Sequence, residues 1–236
     1  GHYATWRPNI AVPQEQLLPL DASFGMHPSM GPLKPFYDAG SLGIVQAVGD
    51  GVRHVKPGAA VASIGAAGGF ATQACVPASQ VIPLPAGFDL DDAAAFAFTY
   101  GTSHHALIDR GALRSGETVL VLGAAGGVGS AAVQLGRAPG ARFDAAVSSS
   151  DKAAFCTELG ADMSIDLSHQ DLRGALKAAQ VSPDVVLDPV GGDLAEAAFR
   201  SIAWRGRYLV IGFTAGPIPA LPLNLALLKG ASIVGV

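Results

Sequence analysis

Two groups of residues in this chain could bind an anion, and each follows an apolar run. Gly123, Gly126, Gly127 and Gly129 come directly after Val119-Leu120-Val121-Leu122; Ser148, Ser149, Ser150 and Lys152 come after a second apolar stretch. Glycines permit tight turns and bring backbone N–H groups close to a phosphate. Hydroxyls and an ammonium offer donors to a phosphate monoester. Residues 119–122 read as a strand buried in a parallel sheet, and residues 130–137 as helix. A strand that turns through glycines into a helix N-terminus presents unpaired N–H groups and a partial positive charge. Gly123, Gly126, Gly127, Val128 and Gly129 are therefore the candidate cradle for a pyrophosphate. The spacing is G-x-x-G-x-x-G rather than G-x-G-x-x-G, so its place between strand and helix carries the reading.

The next strand, residues 142–147, decides which dinucleotide fits. An acidic residue about 20 positions beyond the glycines would hold a ribose 2′-hydroxyl. This strand instead ends in Ser148 and Ser149 with Lys152 close behind, and Asp151 falls past the strand end. Hydroxyls and an ammonium suit a 2′-phosphate, which a carboxylate would repel. The expected cofactor is NADPH rather than NADH. A plainer alternative makes the same residues a polar helix cap, with Ser150 or Asp151 at the N-cap.

The elements that position these groups alternate in type. After residue 102 we expect helix over 103–108, strand over 119–122, helix over 130–137 and strand over 142–147. Helix follows over 152–159, strand over 163–165, helix over 172–179 and strand over 185–187. Helix over 194–202, strand over 208–211, helix over 223–228 and strand over 232–236 complete the pattern. Such alternation with apolar strands specifies an α/β fold, a doubly wound parallel sheet. Upstream lies a small β-rich unit, with strands over 44–48 and 60–64, short β segments over 68–76 and 80–83, and turns at Gly49-Asp50-Gly51 and Lys56-Pro57-Gly58. Leu90-Asp91-Asp92 caps an alanine-rich helix over 93–98. Residues 1–34, rich in proline, read as loop with one short strand.

Composition narrows the function. Of 236 residues, half are hydrophobic and 14% charged, against roughly 25% in a typical domain, which predicts much buried surface or a subunit interface. A net charge of −4 without a basic tract argues against nucleic acid or an anionic membrane as partner. Two cysteines, Cys75 and Cys156, make no disulfide framework and no Cys-x-x-Cys site; both read as inert small hydrophobes. His104 and His105 are adjacent, so they point about 100° apart on a helix and make no metal pair. No apolar stretch reaches the roughly 18–20 residues of a membrane span, and the first residues lack signal-peptide order. A cytoplasmic setting is expected.

Several further segments, taken with the glycine turn and the Ser148-Ser149 and Lys152 group, carry a resemblance. They are Thr99-Tyr-Gly-Thr102 leading into His105-Ala-Leu, Asp188-Pro-Val-Gly-Gly-Asp193, Ala203-Trp-Arg-Gly-Arg-Tyr-Leu-Val-Ile-Gly-Phe213 and Pro222-Leu-Asn-Leu-Ala-Leu-Leu-Lys229. Upstream, Lys34-Pro-Phe-Tyr-Asp-Ala-Gly40, Val48-Gly-Asp-Gly-Val52 and Lys56-Pro-Gly58 belong to the same set. Over residues 34–236 the chain resembles the zinc-independent quinone oxidoreductase branch of the medium-chain dehydrogenase/reductase superfamily, close to its prostaglandin and enone reductases. The resemblance implies a GroES-like β-rich catalytic domain over 1–98, an NADPH-binding Rossmann domain over 99–236, and a homodimer formed through the last strand of the Rossmann sheet. It implies metal-independent hydride transfer from nicotinamide C4 to a small quinone or α,β-unsaturated carbonyl. Thr102 would sit near the nicotinamide, Gly212 and Phe213 would line the ring's face, and Val190 would join the cofactor-binding residues. A plain reading of Thr102 is a helix cap.

The chain also departs from the family. Residues 1–33 offer no counterpart to its opening strands, Leu42 stands where glutamate is usual, and Leu167 replaces a tyrosine common near the adenosine phosphate. Asp144 puts a carboxylate inside an apolar strand, which costs several kcal/mol unless the group is paired or protonated. Pro139 shortens the crossover helix. The sequence stops at Val236, tens of residues before family members do, which reads as a fragment or decayed copy with an exposed final strand. These departures support a second class of function, a non-catalytic NADPH-binding or interaction protein.

Overall fold

The computed structural model describes residues 40–45, 47–64, 74–88, 90–136 and 140–236. Readings that fall on residues 1–39, 65–73 and 137–139, Pro139 and the Lys34–Gly40 signature among them, lie outside the described residues. Backbone contacts divide the chain into two compact units, residues 1–98 and 99–236.

The first unit is an antiparallel sheet in the order β1-β2-β3, comprising β1 (Gly40–Ile44), β2 (Ala60–Ile64) and β3 (Val81–Pro83). β1 pairs with β2 from Gly40↔Ile64 to Ile44↔Ala60, so the strand ends where the sequence predicts it to begin. Gly40, Ser41 and Gly43 have low strand propensity, which pairing with β2 overrides. The first unit's Val55, Val61 and Ala62 are buried, and Phe88 meets Phe96 edge-to-face at 5.9 Å. Residues 74–77 are not strand, which corrects the β segment expected there, and Cys75 is exposed.

Helix α1 (Leu90–His104) contains the division point and ends in a wider, π-helical turn over His105–Arg110. Thr102 lies inside α1, so it is not a helix cap. The second unit is a six-stranded parallel sheet of β4 (Thr118–Leu122), β5 (Arg142–Val147), β6 (Met163–Asp166), β7 (Val185–Asp188), β8 (Arg207–Val210) and β9 (Ser232–Gly235). Its spatial order is β6-β5-β4-β7-β8-β9, the 3-2-1-4-5-6 arrangement of a doubly wound fold. Between the strands run α2 (Gly127–Gly136), α3 (Ser150–Leu159), α4 (Leu172–Ala178), α5 (Leu194–Ser201) and α6 (Leu223–Lys229).

Successive strand residues face opposite sides, so a strand covered on both faces must be apolar throughout. β4 shows this: Val119 and Val121 join one core with Ala132 and Val133 of α2 and Cys156 of α3. Leu120 and Leu122 join the other with Leu176 of α4, Phe199 of α5 and Leu225 of α6. Among the described residues no helix is long and apolar enough to cross a membrane.

Candidate functional site

In a parallel sheet every strand delivers its following loop to one edge, and the order reverses between β4 and β7. Ligands of such sheets bind at that switch point. The loops after β4, β5, β7 and β8, with the first turns of α2 and α3 that follow two of them, carry eleven of the twelve predicted site residues, from Gly123 to Phe213. Thr102, on α1, is the twelfth.

The glycines have distinct tasks. Gly123 adopts φ +61°, a left-handed conformation that side chains disfavour, and its N–H donates to the Ala146 carbonyl at 2.9 Å. A methyl on Gly123 would also lie 2.8 Å from Val190 Cγ2, which shows how closely the loop after β7 approaches this turn. A methyl on Gly129 would meet Ala124 Cα and the Gly123 carbonyl oxygen at 2.6 Å, so this glycine lets α2 pack on its own turn. Gly127 gives the same close approach to Thr99 of α1, whose methyl would stand 2.8 Å from an added one. Gly126 is exposed. Ser130 N–H donates to the Gly126 carbonyl at 2.8 Å, and helix geometry leaves the N–H groups of Gly127, Val128 and Gly129 without intrahelical partners. Helix α1 braces this turn: the buried Ser103 hydroxyl donates to the Val128 carbonyl at 2.7 Å, and Tyr100 donates to Gln134 at 2.6 Å. Thr102 lies half-buried beside Ser103.

At the end of β5 the serines separate in role. Ser149, with extended backbone (φ −160°, ψ 160°), is the N-cap of α3 and accepts from the Lys152 N–H at 3.4 Å. This corrects the expectation of Ser150 or Asp151 there; both fall in the helix's first turn. Ser150 turns to β6 and donates to Asp166 Oδ2 at 2.5 Å. Ser148 and Lys152 are exposed, and Lys152 Nζ donates to Ser148 Oγ at 2.9 Å. A hydroxyl and an ammonium thus stand together beside the strand end. Asp166 also accepts from the Ser168 N–H and hydroxyl at 2.9 and 2.6 Å. The Ser150 and Ser168 bonds hold its carboxyl down at about 2. Leu167 is half-buried in the second core, and its N–H donates to the Val147 carbonyl at 2.8 Å.

The loops after β7 and β8 are laced together. Ile211 and Gly212 N–H groups donate to the Asp188 carbonyl, Thr214 N–H to that of Pro189 and Ala215 N–H to that of Val190. A methyl on Gly191 (φ +67°) would stand 2.9 Å from the Phe213 ring. Asp188 organises the turn: Oδ1 accepts from the Val190 and Gly191 N–H groups, both at 2.8 Å, and Oδ2 accepts from the Tyr208 hydroxyl at 2.5 Å. Sequence reasoning quoted both residues as parts of longer motifs and missed their pairing. The signal was an acid at a strand end followed by Pro-Val-Gly-Gly, the pattern of a turn capped by its own side chain.

Among the described residues, the rest of the unit holds no comparable arrangement. A cavity of about 560 Å³ is lined by Arg173, Lys177, Arg200 and Lys229. Lys177, Arg200 and Lys229 belong to last turns of helices, where cations oppose the macrodipole. His105 Nδ1 meets Asp109 at 2.9 Å, and among the described residues no three His, Cys, Asp or Glu side chains cluster to hold a metal. Cys156 is buried, and burial pushes its thiol up.

A classic strand order, a glycine turn at the switch point and donors at the second strand end together define a dinucleotide-binding Rossmann unit. Over most of its length the chain is similar to the quinone oxidoreductase and enone reductase branch of the medium-chain dehydrogenase/reductase superfamily. The family described as zinc-binding dehydrogenase matches residues 127–236. Quinone oxidoreductase-like protein 2 of Mus musculus is 36% identical over 197 residues, covering 82% of this chain and 56% of its own. Prostaglandin reductase-3 of the same species is 36% identical over 217 residues, covering 86% and 56%. The solved structure of Escherichia coli quinone oxidoreductase complexed with NADPH superposes with a TM-score of 0.77 at 29% identity, covering 84% of this chain and 62% of that one. The chain thus spans little more than half the length of the curated relatives it matches.

Proposed function

We propose that this chain binds NADPH at the carboxyl edge of β4, β5, β7 and β8 and serves reduction of a quinone or an α,β-unsaturated carbonyl. The observation that carries this reading is the exposed Ser148–Lys152 pair at the end of β5, where an NAD site needs a carboxylate. The NADPH complex of the Escherichia coli relative supports it. Gly126 and the N–H groups of Gly127, Val128 and Gly129 would cradle the pyrophosphate at the α2 N-terminus. Ser148 and Lys152 would hold the 2′-phosphate, Ser149 ordering the turn that aims them. Val190, Gly212 and Phe213 would flank the nicotinamide end, with Thr102 on the neighbouring helix. When bound, the reduced nicotinamide supplies a hydride, which with one solvent proton converts a quinone to its hydroquinone or saturates an enone. The chain's own contribution is to orient that ring and exclude water, which accounts for most of what such sites supply.

The same proposal assigns residues 1–98 to a GroES-like catalytic domain and 99–236 to the cofactor domain. It takes the reaction to be metal-independent, as the resemblance to zinc-independent quinone oxidoreductases implies. It also takes the chain to dimerise through β9, which pairs only with β8 in the described sheet and exposes Ser232 and Ile233. Unpaired Cys75 and Cys156 suit a reducing, cytoplasmic setting. The test is NADPH oxidation, followed by nicotinamide absorbance, with a simple benzoquinone and a simple enone as acceptors. Acceptor-dependent oxidation is expected. Binding without oxidation of either class would replace the reductase reading with that of a non-catalytic cofactor-binding protein.

A further inference from the structure

The turn after β7 is held by a buried pair that the proposed reaction does not use. Tyr208 is 1% exposed and Asp188 2% exposed, on neighbouring strands whose register sets Tyr208 beside Val186 and Asp188 beside Val210. Side chains two residues apart on a strand share a face, so phenol and carboxylate both face the second core. The ring of Tyr208 is packed edge-to-face on Phe199 at 5.6 Å, which leaves the hydroxyl little freedom. Burial, and after it the Asp188 contact, push the phenol far above its usual range, so the hydroxyl keeps its proton and donates. All the bonds run one way: Tyr208 donates to Oδ2, and the Val190 and Gly191 N–H groups donate to Oδ1. Gly191 and Gly192 follow at φ +67° and +60°, left-handed conformations that glycine adopts without strain. Val190, fixed in this way, comes up against the Gly123 turn.

We propose that Tyr208 is a positioning residue: through Asp188 it sets the Val190–Gly191 turn against Gly123, so that the crevice has its binding shape before any ligand arrives. This rests on the NADPH reading for its consequence, though the positioning itself is a property of the ligand-free chain. The geometry matters because pre-ordering a binding loop removes an ordering cost from association.

The test pairs amide hydrogen exchange on the ligand-free protein with NADPH and NADH titrations, in wild type, Tyr208→Phe and Asp188→Asn. Tyr208→Phe should speed exchange at Val190 and Gly191 by about tenfold or more, the scale of one lost bond to a charged group. Exchange at Leu120 and Val121 of β4 should be unchanged. NADPH should bind about tenfold more weakly, while the preference for NADPH over NADH is retained. Asp188→Asn keeps an acceptor for the two N–H groups and should give a smaller change at both amides. Unchanged exchange at Val190 and Gly191 in Tyr208→Phe would overturn the proposal. So would equal acceleration at Leu120 and Val121, which would make Tyr208 a core residue and nothing more. If Tyr208→Phe does not fold, exchange in Asp188→Asn decides. A wild type that binds neither nucleotide would refute the NADPH reading and leave the exchange result to judge Tyr208.

Discussion

Carboxylates at the strand ends of the parallel sheet and the one inside a strand fare in opposite ways. At the carboxyl end, Asp166 and Asp188 have both oxygens engaged, by Ser150 and Ser168 in one case and by Tyr208 and two backbone N–H groups in the other. Near the amino end of β5, Asp144 is fully buried; Oδ1 accepts from Arg142 Nε at 2.9 Å, and Oδ2 has no partner among the described residues. Burial raises the Asp144 carboxyl above its ordinary value despite that bond. A carboxylate at a strand end can gather N–H groups from the loop that follows. One inside a strand finds those groups already used by its neighbours. Well-bonded carboxylates thus lie at strand ends, Asp166 and Asp188 among them at the edge where the dinucleotide is proposed to bind.

The largest effect should come from filling the glycine turn. Gly129→Ala places a methyl 2.6 Å from backbone atoms that cannot move aside, and should cost about 3 kcal/mol or more, read as a lower melting temperature. Gly235→Ala, with nothing within 4 Å, is the control and should cost well under that. Equal costs would break the claim that the glycine turn is the tightly built part of the carboxyl edge.

Next is the amino-end ion pair. Arg207 grips Glu117 through two nitrogens at 3.0 and 2.5 Å, joining the start of β8 to the residue preceding β4. Burial opposes ionisation of Glu117, but the Arg207 bond and the Arg114 N–H outweigh it, and the carboxyl sits below its usual 4.5. Glu117→Gln should cost about 1 kcal/mol at neutral pH, a modest figure because the amide oxygen keeps an acceptor for Arg207. Both Glu117 and Asp166 have lowered values, so their stabilisation is complete above about pH 5 and is lost as pH falls toward 2. Acid titration of stability should show the wild type losing its advantage over Glu117→Gln across that window.

Asp144 should behave in the reverse sense. Its raised value means that the folded chain prefers the protonated carboxyl, so its contribution is lost as pH rises through the folded value. Asp144→Asn should therefore stabilise the protein at pH 7, on the order of 1 kcal/mol. The gap between variant and wild type should close as pH falls to about 4. A destabilised Asp144→Asn at pH 7 would show that the Arg142 bond more than offsets burial. The smallest expected effect on stability is that of Lys152→Ala, within about 0.5 kcal/mol, because the residue is exposed.

Much of this was legible in the residues themselves. β4, β5 and β7 declared themselves because a strand buried on both faces must be apolar, and the glycine turn because close approach forbids side chains. The arrangement at the β5 end was readable as a group but not by role. Which of three serines caps the helix depends on backbone angles, and the extended one is Ser149. β1 was misplaced because its glycines and serine have low strand propensity, and only pairing with β2 makes it a strand. Thr102 lies within α1 because the helix runs through Gly101 rather than restarting after it. The Asp188–Tyr208 pair joins neighbouring strands 20 residues apart in sequence, a contact no local pattern encodes. The Arg142–Asp144 contact is the opposite case, two residues apart on one face of one strand, where alternation alone would have suggested it.

The most direct measurement is a pair of binding titrations, NADPH and NADH, on the wild type and on Lys152→Ala. The wild type should bind NADPH at least about tenfold more tightly than NADH, as one charge-assisted phosphate contact requires. Lys152→Ala should lose most of that preference with its melting temperature unchanged. Equal affinity of the wild type for the two nucleotides, or a preference that survives Lys152→Ala intact, would contradict the NADPH reading.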